Sequence, residues 1–154
     1  MKIKAAVFAV ALLFAGVTVA SAQEPNKGVW KLNEAKSHFG KGATKNHTVT
    51  YEMAGDDIKV IVDGNAADGS ATHNEWTGKF DGRYYAVTGD ATSDMRMYRR
   101  INKRTLSIRA RKEGKTTLTG TITVSRNGKM RTVTTTARNA QGRWVTNHAV
   151  YDKQ

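Results

Sequence analysis

The sequence predicts an all-β fold, a single antiparallel up-and-down barrel of about 8–10 strands. Three observations predict this architecture. Short segments rich in Thr, Val, Ile and Tyr, the residues that suit a pleated sheet, follow one another along the chain. Asp-Gly and Asn-Gly pairs, which favour tight hairpin turns, recur between the segments. No segment keeps an apolar period of 3.6 beyond about one turn, so long amphipathic helices are not expected.

The first element is predicted to be a signal peptide that covers residues 1–22. Lys2 and Lys4 precede an apolar stretch over 5–19, and Ala20-Ser21-Ala22 provides the small residues that signal peptidase accepts. A membrane anchor is the alternative, but the stretch is shorter than the ~20 residues that a span needs. We therefore expect a periplasmic or secreted protein, whose residues 23–154 form one β-barrel domain.

The strands then follow in order, each bounded by a turn. A short helical turn is expected within residues 32–39, after the first strand. An open sheet of this length would expose two unpaired edges, whereas closure into a barrel removes both. Pro25 is the single proline, so no later residue blocks ladder pairing. The predicted strands cover 28–32, 46–53, 57–63, 70–80, 83–88, 95–101, 104–113, 115–125, 129–138 and 142–151.

Alternation along the strands predicts an apolar lumen with a few polar groups, which suits a ligand with an oily body and one polar or anionic end. Arg99 is the most informative of these groups, because a buried guanidinium needs an anionic partner. That partner is either a ligand or a neighbouring carboxylate, unless the side chain reaches the barrel mouth. Trp30 is expected to plug one barrel end, and Tyr51, Trp76 and Trp144 also suit a core. The predicted lumen residues are His47, Tyr51, Asn74, Trp76, Arg99 and His148.

Gly28-Val29-Trp30 resembles the motif that opens lipocalin and fatty-acid-binding (calycin) barrels. The resemblance implies that this Trp packs against an Arg late in the chain. Further segments resemble small exported bacterial lipocalin-like proteins of uncharacterised function, which implies a fold and a compartment but no activity. Fatty-acid-binding proteins carry Arg-x-Tyr on the last strand, where this chain has Asn147-His148-Ala149-Val150-Tyr151. The further segments are 28–33, 35–37, 48–52, 79–82, 87–89 and 149–153.

Basic residues are concentrated in the second half of the mature chain. Residues 23–94 have 8 basic and 11 acidic side chains, whereas residues 95–154 have 15 and 2. Neighbouring strands of a meander lie side by side, so one barrel wall should be basic and attract an anionic lipid surface or polysaccharide. A solvated face with no partner is the alternative. The wall is predicted from Arg96, Arg100, Lys103, Arg104, Arg109 and Arg111, extended by Lys112, Lys115, Arg126, Lys129, Arg131, Arg138 and Arg143.

Composition and motifs favour a binding protein over an enzyme. The chain has no Cys, which excludes disulfides, thiol nucleophiles and Cys-ligated metals, and it has no nucleophile motif or phosphate-binding loop. His47 and His148 would hold haem iron or another metal only if they met across the lumen. We expect no cofactor, no nucleic-acid partner and a monomer. The function predicted is binding of a small hydrophobic or amphiphilic molecule in the lumen, and the alternative is an envelope-surface module that uses residues 95–143.

Overall fold

The computed structural model describes residues 23–139 and 141–154, so the predicted signal peptide lies outside the described residues. A 3₁₀ turn, Glu34–Lys36, follows the first strand, as predicted. Among the described residues, no helix has the length and apolar character needed to cross a membrane. The strands are β1 (Gly28–Leu32), β2 (Lys45–Ala54), β3 (Asp57–Asn65), β4 (Ala71–Gly78), β5 (Asp81–Thr88), β6 (Met95–Asn102), β7 (Thr105–Lys112), β8 (Lys115–Val124), β9 (Met130–Arg138) and β10 (Trp144–Lys153).

These strands form a closed antiparallel up-and-down barrel, which confirms the predicted fold class. Each strand pairs with its neighbours in the chain, and β1 closes the ring by pairing with both β2 and β10. Trp30 on β1 is opposite Val49 on β2 and Lys153 on β10. Closure leaves no strand of the sheet with an unpaired edge.

One end of the barrel is closed by aromatic side chains and by the segment before β1. Trp30 is fully buried, and its indole N–H donates to the Asn26 carbonyl over 2.7 Å. Glu24 accepts a hydrogen bond from the Arg100 guanidinium, which also lies 5.4 Å from the centre of the Phe80 ring. These contacts hold residues 24–26 across this end of the barrel, and we call the closed end of the cavity above them the floor.

The seam between β4 and β5 has few ladder pairs. Only Glu75–Thr88 and Trp76–Val87 are in register there. Below those pairs, the Tyr85 ring covers Gly78 so closely that a Cβ at Gly78 would lie 2.6 Å from its Cγ. The same ring packs edge-to-face on Trp76, with centroids 5.7 Å apart. Aromatic packing therefore takes the place of backbone hydrogen bonds in this part of the wall.

Replacing Trp30 by alanine should destabilise the barrel by about 3–5 kcal/mol, because it removes a fully buried indole from the closed end. Trp144→Ala is the matched control, since that side chain is 45% exposed, and it should cost less than about 1 kcal/mol. Urea unfolding followed by circular dichroism measures both values. If Trp30→Ala lost as little unfolding free energy as Trp144→Ala, the closed end would not depend on Trp30.

Candidate functional site

The barrel encloses a cavity of about 670 Å³ above the closed end. Its walls are largely aliphatic, and its mouth lies between the loops at the opposite end, which include Phe39, Ala66 and Asp90. Alternation on β3, β7 and β8 places apolar side chains inward, as predicted from the sequence. The aliphatic wall includes Val49, Val62, Ile108, Leu118, Ile122 and Ala149.

Arg131 lies at the floor of this cavity among three aromatic rings. Its guanidinium carbon is 5.4 Å from the centre of Trp30, 5.0 Å from Tyr51 and 4.7 Å from Tyr151. These rings belong to β1, β2 and β10, whereas Arg131 belongs to β9. Packing of Trp30 against an Arg late in the chain is the contact that the family resemblance implied.

Among the residues that the structure describes, no carboxylate lies within ion-pair distance of the Arg131 guanidinium. The residue is 2% exposed, and its Nε and Nη1 atoms are buried without a hydrogen-bond partner. A cation–π contact contributes about 0.5–2 kcal/mol, whereas taking a charged group out of water costs several kcal/mol per ion. Three such contacts together offset much of that cost, but they leave Nε and Nη1 without a hydrogen-bond partner, so the buried positive charge can still accept an anionic group.

The phenol groups beside Arg131 stay protonated at neutral pH. Burial raises the pKa of Tyr51, although the Arg131 charge acts in the opposite direction. Burial likewise raises the pKa of Tyr151, whose hydroxyl donates to the Asn46 carbonyl over 3.0 Å. Neutral phenols leave the positive charge of Arg131 undiminished.

A second buried guanidinium, that of Arg96, lines the lumen nearer the mouth and is neutralised. Its Nη2 lies 3.0 Å from the Asp90 carboxylate, which also accepts hydrogen bonds from Ser93 and Thr92. Burial alone would raise the pKa of Asp90, but the hydroxyl hydrogen bonds and the Arg96 charge together lower it. Asp90 is thus ionised at neutral pH, and Arg96 adds no net charge to the lumen.

Amide side chains add polar groups to the same cavity. Asn74 is buried against it, and its Oδ1 has no hydrogen-bond partner. Asn147 accepts from the Gly40 N–H over 2.9 Å, and Asn139 donates to the Lys41 carbonyl over 3.0 Å. The latter two amides hold the loop after β1 against β10 and so fix one side of the mouth.

Three of the six predicted lumen residues are correctly placed inside the barrel. Tyr51 and Asn74 line the cavity. Trp76 is buried, but it lies in the aromatic layer beside the cavity, stacked on Phe80 at 6.3 Å and edge-on to Tyr98 at 4.7 Å. Its indole N–H donates to the Arg96 carbonyl over 3.0 Å.

The predicted lumen position of Arg99 is wrong. Arg96 and Tyr98 form the inner row of β6, so Arg99 lies on the exposed outer face with its side chain over Gly82. Side chains of β6 alternate regularly between the two faces of the sheet. The inner row, however, consists of Arg96 and Tyr98, whereas the apolar Met95 and Met97 are on the outer row. For the same reason Arg96 is not part of the outer basic surface.

The predicted lumen positions of His47 and His148 are also wrong. The β2–β3 register shifts between Asn46 and Thr48, and this bulge places Asn46 rather than His47 against the cavity. His148 is exposed on the outer face of β10 and hydrogen-bonds Thr134, because Asn147 and Ala149 occupy the inner row. The two imidazoles do not meet across the lumen. Among the described residues, no group of three or more His, Cys, Asp or Glu side chains could hold a metal ion.

The remaining basic residues of the predicted surface lie at several places. Lys103 and Arg104 are in the β6–β7 turn at the closed end, near Arg100. Arg109 is exposed on the outer face of β7, and Arg111 stacks on the Tyr84 ring at 3.9 Å. Arg131, which the sequence assigned to this surface, is inside the barrel.

Comparison with known proteins supports the fold. No protein-family model and no curated protein matches the sequence. The structure of EF1p2_mFAP2b bound to DFHBI is similar over 86% of this chain and 97% of that one, with a TM-score of 0.52 and 10% identity. A redesigned beta barrel, mFAP1, also bound to DFHBI, covers 84% of this chain and 95% of that one, with a TM-score of 0.49 and 10% identity. The similarity to EF1p2_mFAP2b supports the β-barrel fold.

Asp90→Asn should destabilise the protein by about 2–3 kcal/mol at pH 7, because it leaves the buried Arg96 charge without its anion. The pKa of Asp90 lies below the usual value of about 3.9, so its contribution is complete above about pH 4 and is lost as the pH falls further. The difference in unfolding free energy between wild type and variant should therefore become smaller below about pH 4. Chemical unfolding at pH 7 and at about pH 3 measures the change.

Asp68→Asn is the matched control, since Asp68 accepts hydrogen bonds from Ser70 in an exposed turn. It should have a much smaller effect at pH 7. If Asp90→Asn lost no more stability at pH 7 than Asp68→Asn, the Asp90–Arg96 ion pair would not have the stabilising role assigned to it.

Proposed function

We propose that the protein is an exported carrier that holds a small amphiphilic molecule in the barrel lumen, with an anionic end at Arg131. The buried guanidinium on the cavity floor, without a carboxylate partner, is the observation that carries this proposal. The cavity volume is within the range of about 300–1,000 Å³ that small-molecule sites occupy. The predicted signal peptide supports export to the periplasm or the medium.

The charge of the lumen supports a ligand with one negative charge. Arg96 is paired with Asp90, whereas the Arg131 guanidinium is surrounded by three aromatic rings and forms no ion pair among the described residues. A monoanion would neutralise the remaining charge and accept hydrogen bonds from Nε and Nη1. The charge-assisted contact would be on β9, not at the Arg-x-Tyr position of fatty-acid-binding proteins on the last strand.

The aliphatic wall between floor and mouth supports an apolar body for the same ligand. Ile108, Leu118 and Ile122 rise from the floor towards the mouth along β7 and β8. An extended apolar chain along this wall would be removed from water, at a gain of roughly 25 cal/mol per Å² buried. The proposed orientation places the anionic group deepest and the apolar end nearest the solvent.

A dansyl-labelled undecanoate and its methyl ester test the proposal, because the two probes differ only in charge. The protein should bind the acid more tightly than the ester. Arg131→Met should weaken acid binding by about 10–100-fold, the range expected for a lost charged hydrogen bond, and should leave ester binding nearly unchanged. Arg126→Met, on an exposed turn, should change neither affinity.

Ala110→Phe tests whether the probes occupy the lumen. Ala110 is 2% exposed and lines the cavity, so a phenyl group there should abolish binding of both probes. Ala86→Phe is the matched control, since Ala86 is exposed on β5. Dansyl fluorescence measures affinity and circular dichroism checks folding. Undiminished binding by folded Ala110→Phe would overturn the proposal.

A further inference from the structure

The outer face of β7–β10 presents rows of hydroxyl groups in register. Arg109 on β7 is opposite Thr119, which is opposite Thr136, which is opposite Thr146. The next row continues from Ser107 through Thr121 and Thr134 to His148, and a third contains Thr105, Thr123 and Thr132. We call this surface the threonine wall; its members are Thr105, Thr119, Thr121, Thr123, Thr132, Thr134, Thr136 and Thr146.

Neighbouring hydroxyls of the threonine wall approach one another across the strands. The Oγ1 atoms of Thr105 and Thr123 are 3.4 Å apart, and those of Thr136 and Thr146 are 3.3 Å apart. Rows on adjacent strands are spaced by about 4.8 Å, and residues on one face of a strand by about 7 Å. The wall thus offers a regular two-dimensional array of groups that both donate and accept hydrogen bonds.

Basic side chains border the threonine wall on two sides. Arg99 and Arg109 are exposed on β6 and β7, and the guanidinium carbon of Arg111 lies 3.9 Å from the centre of the Tyr84 ring. On the other side, Arg138 lies 4.6 Å from the centre of the Trp144 ring, which is 45% exposed. The ion pairs in the described part of the chain involve other cations than these four arginines.

The opposite wall of the same barrel has a different composition. On the outer face of β3 and β4, Lys59 pairs with Glu75 at 3.0 Å and His73 with Asp63 at 2.7 Å. Residues 95–154, by contrast, contain Glu113 in a turn and Asp152, which accepts from Asn33, as their only acidic side chains. Strand propensity explains threonine on an outer face, but it does not explain why charges are paired on one wall and unpaired on the other.

We propose that the threonine wall and its arginine border bind a carboxylated polysaccharide. Unpaired guanidinium groups favour carboxylates, with which they form two parallel hydrogen bonds. Sugar hydroxyls complement the rows of threonine hydroxyls, and the exposed Trp144 ring offers a surface on which a sugar ring can stack. Binding here uses the outside of the barrel and does not depend on the lumen ligand.

Two other classes of polyanion fit the surface less well. Single-stranded nucleic acid is held by successive aromatic rings among basic residues. In the described part of the chain, Trp144 is the single strongly exposed aromatic ring beside the wall. An anionic membrane is bound by an apolar face together with cations, and the centre of this wall consists of hydroxyl groups. The carboxylated polysaccharide is therefore the partner that the surface chemistry favours.

Binding to polygalacturonate, measured by calorimetry at low salt, tests the proposal. The double variant Arg99→Gln/Arg109→Gln should bind about tenfold more weakly, because two border charges are lost. Arg126→Gln/Lys129→Gln removes the same charge from the β8–β9 turn and should reduce binding much less. Trp144→Ala and Thr121→Val should each weaken binding while circular dichroism shows an intact fold.

Three results would overturn the proposal. Equal losses of affinity for polygalacturonate in the two double variants would show a general effect of net charge and not a specific site. Binding to DNA or to phosphatidylglycerol vesicles as tight as that to polygalacturonate would assign the surface to another polyanion. Absence of binding to polygalacturonate at low salt would remove the proposed partner. None of these results would bear on the binding of the dansyl probe, because that probe binds in the lumen and not on the outer surface.

Discussion

The closed end of the barrel is organised around the packing of one guanidinium against the rings that surround it. Arg131 extends from β9 to Trp30 on β1, Tyr51 on β2 and Tyr151 on β10, so it contacts the strands on both sides of the closure point. Trp30 in turn is hydrogen-bonded to the segment that crosses the closed end. This packing adds side-chain contacts to the few backbone pairs by which the short β1 completes the ring.

The two arginines inside the barrel show how differently a buried charge can be stabilised. Arg96 is held by Asp90 within a set of hydroxyl hydrogen bonds, so the pair is electrically complete. Arg131 has aromatic faces instead of a carboxylate, and part of its hydrogen-bonding capacity is unused. An interior can tolerate such a group when the remaining cost is small relative to the surrounding packing, and a bound anion would then remove that cost. Stability of the closed end and affinity in the lumen are thereby connected through the same side chain.

Sequence reasoning succeeded where an aliphatic or aromatic row marks the inner face of a strand and failed on strands without such a row. On β3, β7 and β8 the aliphatic row is the inner row, so alternation alone orients the strand. On β6 the inner row has Arg96 and Tyr98 and the outer row has methionines, and on β10 Asn147 is inside while Trp144 is outside. A one-residue error of phase reverses every side chain of a strand. The bulge at His47 has no signal in the sequence. Packing of Trp30 on Arg131 could have been anticipated from the Gly-x-Trp resemblance, but the arginine itself could not be chosen among so many.

The β4–β5 seam has a consequence for the motions of the barrel. The β2–β3, β7–β8 and β9–β10 pairs are in register along most of their length, whereas the β4–β5 seam is filled mainly by the Tyr85 ring over Gly78. The Tyr85 ring can rotate away without breaking backbone hydrogen bonds between strands. The wall can therefore open locally at this seam while the remaining strands stay paired. Those amide hydrogens of residues 77–78 and 83–86 that face the seam should therefore exchange with solvent faster than the amide hydrogens of β8 and β9. Transient opening of the seam would also widen the lumen sideways, giving a bulky molecule a route that does not pass through the mouth.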